Sequence, residues 1–226
     1  MSGIVGSKFN IRGSGLVGSL GTDGQHMLSA GAGKTNVFET VAAASSDFVK
    51  IAVTGSGSDV ASVSIPLDRA TYTSFDIFWH SIPATDGAYL RGILRNSSGT
   101  VTGSNYKTSY IETRGTSTDG LINTAIENSE AEFRMSGVTG NADLEGNALH
   151  IIYTPHLTSR WGQSGGTYNG ALFTWHGYRL DTSDNWIGLS GNGKYDIVID
   201  DITHLDMYYD SGNVAAHNYT IYGRKA

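Results

Sequence analysis

Cysteine is absent from the 226 residues, which excludes disulfides, thiolate catalysis and cysteine-based zinc sites together. Basic residues are in the minority, 15 Lys and Arg against 21 Asp and Glu. The field at neutral pH therefore repels nucleic-acid phosphates, no basic cluster offsets it, and no nucleic-acid partner is expected. No stretch approaches the ~18 apolar residues of a membrane span. MSGIVGSKFN lacks the charged start and apolar run of a signal peptide, so a product made in a cytoplasm is expected, with no membrane partner, which stays soluble or leaves by a route other than secretion, such as a particle released by lysis. Long runs of good helix formers are scarce, and proline occurs three times.

What is present is glycine, 30 residues of it, with 12 tyrosines and many Ser, Thr and Asn, a composition of short strands joined by tight turns. Hydrophobic content of 39% over this length allows one well-packed core. Nine of the 30 glycines fall in the first 33 residues, where apolar residues stand singly, as in IVGSKFNIRGSGLVGSLG. Residues 1–40 are read as an extended Gly-rich arm that lies on another surface, and residues 41–226 as the folded domain.

From Asp47 the texture becomes strand-like. DFVKIAV is followed by GSGSD, read as a turn; ASVSIPL alternates Val63, Ile65 and Leu67; SFDIFWHSI alternates Phe75, Ile77 and Trp79. YLRGILR, NYKTSYIE and EAEFRMSGV continue the pattern, ALHIIYT sets Leu149, Ile151 and Tyr153 on one face, and KYDIVID sets Tyr195, Ile197 and Ile199. The last 25 residues read as a hairpin, ITHLDMYYD and AAHNYTIYGRK around a turn at Asp210 to Asn213. Only DGLINTAIEN, residues 119–128, has helical spacing, at Leu121, Ile122 and Ala125. The expectation is ten to twelve strands in an all-β, two-sheet sandwich.

Motifs of chemistry are sparse. GAGKT at residues 31–35 lacks the leading glycine of a phosphate-binding loop, since Leu28 stands there, and neither flank has the strand-loop-helix context. It reads as the pliable end of the arm. The seven histidines, His26, His80, His150, His156, His176, His204 and His217, form no close ligand pair, although His150 and His156 flank one strand and are free to meet a distant residue. There is no GxSxG elbow. Glu127, Glu130 and Glu132, like Asp196, Asp200 and Asp201, read as polar faces, and Asp181, Asp184 and Asn185 as an Asx-rich turn in preference to a calcium loop. No catalytic residue, metal or cofactor is expected.

Residues 160–186, RWGQSGGTYNGALFTWHGYRLDTSDNW, gather three of the four tryptophans. Trp175, in an alternating segment, belongs to the core. Trp161, Tyr168 and Trp186, among Gly and Asn-rich turns, are candidates to stack on sugar C–H faces. Filling of the core or of a subunit interface is the competing reading.

KFNIRGSGLVGSLGTDGQHMLSAGAGKTNVFETV is similar to leader segments of structural proteins of tailed bacteriophages, marine ones in particular. SFDIFWHSIPATDGAYLRGIL and ITHLDMYYDSGNVAAHNYTIYGRK resemble the early strand pair and terminal hairpin of jelly-roll domains in phage tail and fibre proteins. The resemblance covers about a third of the chain, and implies a jelly-roll virion protein without enzymatic activity. Its arm would join other virion proteins, a homotrimer would form if it is a fibre tip, and a host-surface glycan would be a further partner. No heptad or shaft repeat appears, so a tail or fibre component, a small head fibre and a capsid decoration protein all stay open, with a free carbohydrate-binding module as a third class.

Overall fold

The computed structural model of the chain describes residues 25–28, 37–40, 47–114, 123–140, 146–154, 171–196 and 201–225. Two compact units divide it, Met1–Ser46 and Asp47–Ala226. In the first, β1 (Gln25–Leu28) pairs antiparallel with β2 (Val37–Thr40). The GAGKT stretch and residues 1–24 lie outside the described residues.

The second unit is built wholly of strands among the described residues: β3 (Phe48–Val60), β4 (Val63–Pro66), β5 (Ser74–Pro83), β6 (Ala88–Asn96), β7 (Gly99–Thr100), β8 (Tyr106–Arg114), β9 (Asn123–Glu130), β10 (Phe133–Thr139), β11 (Asn147–Thr154), β12 (Leu172–Leu180), β13 (Trp186–Tyr195), β14 (Ile202–Tyr209) and β15 (Val214–Arg224). Four antiparallel pairs are nested in the sequence, β3 with β15, β4 with β14, β5 with β11 and β6 with β10. A chain paired in this way is one long hairpin wound into two sheets, the path of a jelly roll. The smaller sheet runs β10-β6-β14-β4, with β7 on β6; the larger runs β3-β15-β5-β11 and continues through the inserted strands as β12-β13-β8-β9.

Alternation fixes which side chains enter the core. One row crosses the larger sheet as Ala52, Ile221, Ile77, Ile151, Trp175, Gly191, Tyr110 and Ala125. It faces Leu90, Leu94, Leu205 and Met207 of the smaller sheet, all fully buried. Within that row Gly191 makes room for its neighbour, because a Cβ there would stand 2.5 Å from the Trp175 ring. Buried polar groups at one end bond one another: Trp79 Nε1 donates to Ser81 Oγ (2.9 Å), Ser81 Oγ meets Tyr209 Oη (2.9 Å), and Asn147 Nδ2 donates to Tyr209 (2.9 Å) and Thr139 (3.1 Å). Glu112, Arg179 and the Gly137 amide make a second such network.

Several sequence expectations are corrected. The terminal segment is no hairpin: β14 and β15 lie in different sheets, and the Asp210–Asn213 turn arches between them. Asp210 N donates to Tyr89 O (3.1 Å), Ala84 N donates to Asn213 O (2.8 Å), and Gly212 takes a left-handed φ of 71°. GSGSD does not end β3, which runs on to Val60 because β15 supplies partners, with register shifts along the ladder. Gly57 there accommodates the His217 ring, which a Cβ would meet at 2.2 Å. Residues 123–130 form β9 and not a helix, their ladder to β8 overriding the helical spacing. Ile197 and Ile199 lie outside the described residues, β13 ending at Tyr195. The described residues hold fifteen strands, more than the ten to twelve expected, because the first unit adds two and β7 is a two-residue piece.

Candidate functional site

The two outer faces of the sandwich differ in chemistry. On the smaller sheet the charges close on one another. Arg95 reaches Asp206 at 2.6 Å, and Ser64 donates to the same carboxylate at 2.5 Å. Arg91 lies between Glu132 (3.4 Å) and Asp210 (3.5 Å), Arg134 pairs with Glu127 (2.7 Å), and its guanidinium covers Tyr89 at 4.0 Å. The Glu127 and Glu132 carboxylates, read in the sequence as a polar face, are thus spent on arginines.

The larger sheet presents aromatic and neutral polar groups outward over its middle, between Asp76 and Arg224 on one side and Lys107 and Lys194 on the other. Phe48 stacks on Tyr222 (4.9 Å), Tyr222 meets Phe78 edge-on (6.0 Å), and Phe78 stacks on His150 (4.5 Å). His150 Nε2 lies 3.0 Å from Asp76 Oδ1, and its Nδ1 lies 3.3 Å from His176 Nε2. With the Asp76 carboxylate accepting from Nε2–H, His150 Nδ1 accepts from His176 Nε2–H, and His176 Nδ1 faces outward as an acceptor. The row continues across the strands as His176, Ser190 and Ile111, and the adjacent row as Thr174, Asn192 and Ser109. These six side chains, over the backbones of Trp175, Gly191 and Tyr110, line a shallow open depression of about 320 Å³. No serine is hydrogen-bonded to His176 among the described residues.

One row further on, Gly188 stands between Tyr178 and Thr113, and the Thr113 hydroxyl fills the space a side chain there would take. Beside it Tyr178 and Trp186 meet at 69° with ring centroids 4.6 Å apart, 41% and 52% exposed. Trp186 is set by the turn before it. Asp181 Oδ1 accepts from Ser183 N (2.8 Å), Asn185 N (3.0 Å) and Asn185 Nδ2 (3.2 Å), and Arg114 holds its other oxygen. Burial acts to raise the Asp181 pKa, but these donors prevail and hold the carboxyl below its ordinary value of 3.8. The lone pairs that a calcium ion would need are occupied by the chain's own donors, so Asp181, Asp184 and Asn185 are an Asx turn. No metal-binding cluster of His, Asp or Glu occurs among the described residues.

Of the site residues expected from sequence, Trp186 is on this face, while Trp161 and Tyr168 lie outside the described residues. Trp175 is core, 1% exposed. The His150–His176–Asp76 chain and the depression were missed in the sequence. Alternation in FTWHGY and WIGLSGN does put Thr174, His176, Ser190 and Asn192 on the side opposite Trp175 and Leu189, but nothing in it says that β8 lies beside β13.

The fold and this face define a jelly-roll β-sandwich with one closed and one open outer surface. Compared with known proteins, the chain matches no family model, no curated protein and no solved structure.

Proposed function

We propose that this chain is a non-enzymatic structural protein of a tailed-phage particle, a tail or fibre component whose N-terminal arm joins neighbouring virion proteins and whose larger sheet contacts a glycan on the host surface. The observation that carries the contact is the exposed Trp186–Tyr178 pair beside a depression lined by neutral polar groups, on a sandwich whose opposite face is closed by ion pairs. Aromatic rings next to hydroxyl and amide side chains suit sugars, which offer C–H faces and hydroxyls together. The placement in a virion is supported by the resemblance of the leader and of the β5–β6 and β14–β15 segments to phage tail and fibre proteins. The Phe48, Tyr222 and Phe78 strip near the β3 edge suits a subunit contact, in keeping with a homotrimer.

A capsid decoration or head-fibre role is the second reading, favoured by the lack of any shaft repeat. Immunogold labelling of intact particles with an antibody against residues 47–226 separates the two. Label on the tail or its fibres is expected; label spread over the head selects the second reading, and particles without label remove both.

A further inference from the structure

Resting on that reading of a glycan contact, we infer that the depression across β12, β13 and β8 is the saccharide site itself, and that it takes a neutral sugar and not an acidic one. Its lining offers three hydroxyls (Ser109, Thr174, Ser190), the Asn192 amide and the His176 imidazole. The hydroxyls and the amide both donate and accept, and His176 adds an acceptor, which is what a ring of hydroxyl groups requires of its partners. No lysine, arginine, aspartate or glutamate is among the lining residues.

The cations nearest to that lining already hold carboxylates of the chain, Lys107 and Lys194 doing so from the adjoining row of the same face. Lys107 and Lys194 both hold Asp196, the latter at 2.5 Å, Arg114 holds Asp181, and Arg179 is buried on Glu112 at 2.8 Å. A carboxylate sugar would therefore have to compete with Asp196 for a charged partner, a cost that a neutral sugar does not meet. The net charge of −6 acts in the same direction.

Three features make this a formed site. Its volume of about 320 Å³ is at the small end of ligand sites, in keeping with a short saccharide. Ile111, 48% exposed, gives an apolar wall for C–H contact, and the Trp186–Tyr178 pair stands one row away on the same face. His176 is oriented from behind by the contacts that run from Asp76 through His150, and with His150 neutral its Nδ1 is the acceptor toward a sugar hydroxyl.

The test uses the full chain, titrated by calorimetry and tryptophan fluorescence. Neutral oligomers of glucose, mannose, galactose and N-acetylglucosamine are set against galacturonate oligomers and sialyllactose. At least one neutral oligomer is expected to bind and the acidic ones are not. Thr174→Ala with Asn192→Ala should weaken binding about tenfold through two lost hydrogen bonds. Ser190→Phe should abolish it by filling the depression, with circular dichroism and thermal unfolding showing an intact fold. Should Ser190→Phe fail to fold, the alanine pair carries the test.

Binding that is lost in Trp186→Ala but unchanged in the alanine pair would keep the glycan contact and overturn this site. Binding of the acidic oligomers alone would overturn the neutral class. No binding across the panel would remove both the site and the glycan contact.

Discussion

His217 is buried beside Trp79, ring centroids 6.2 Å apart, and burial holds its imidazole below the ordinary 6.5. The unfolded chain therefore takes up a proton more readily than the native one, so stability is full above about pH 6.5 and falls as the pH drops below it. His80, lowered by burial as well, adds to that slope. Asp181 and Asp196 act lower down. Donors from Asn185, Ser183 and Arg114 outweigh burial at Asp181, and Lys107 and Lys194 lower Asp196, so each contributes stability that is present above about 3.8 and lost as pH falls through the depressed value. In thermal melts between pH 7.5 and 5, His217→Gln should flatten the fall in Tm while leaving the further loss below pH 4 in place. An unchanged slope between pH 6.5 and 5 would contradict the assignment. Trp186, by contrast, is solvent-facing, and its replacement by alanine should change unfolding free energy by no more than about 0.5 kcal/mol.

A buried ion pair ties two of the inserted strands to each other and, through β10, to the smaller sheet, beside the β11–β12 ladder that joins them to the larger one. Arg179 of β12 meets Glu112 of β8 at 2.8 Å (Nε to Oε1) and 2.9 Å (Nη2 to Oε2), Glu112 also accepts from Gly137 N of β10 at 2.8 Å, and Arg179 donates to Val138 O. Glu112→Ala leaves the guanidinium buried without its partner and should cost about 3–5 kcal/mol in urea unfolding. A loss under about 1 kcal/mol would show that solvent reaches the pair. Gly191→Ala should also destabilise, by about 1–3 kcal/mol, since its methyl meets the Trp175 ring.

Much at this scale was legible in the sequence. The inner faces of β4, β5 and β11 follow from period-two alternation, as do the opposite fates of Trp175 and Trp186. Pairing was not legible, because strand neighbours are set by long-range burial that leaves no local trace. For that reason ITHLDMYYD and AAHNYTIYGRK read as a hairpin although they serve separate sheets, and INTAIEN, whose Ala125 lies opposite Tyr110 on β8, carried spacing that also suits a helix. The His150–His176 contact escaped for the same reason: the residues are 26 positions apart and meet only through the β11–β12 register.

For the whole molecule, both edges of the long hairpin and the core cluster found among the described residues lie in residues 47–226. A chain lacking residues 1–46 should therefore keep a cooperative melt and the saccharide affinity of the full chain, while failing to join the particle. Particles that incorporate it normally would contradict the role given to the arm. The central claim, that this is a virion protein which holds a host glycan on its larger sheet, is tested most directly by adsorption of particles carrying Trp186→Ala. Normal assembly is expected, with adsorption slowed about tenfold, the scale of a lost aromatic contact in a binding centre. Assembled particles that adsorb at the unmodified rate would contradict it.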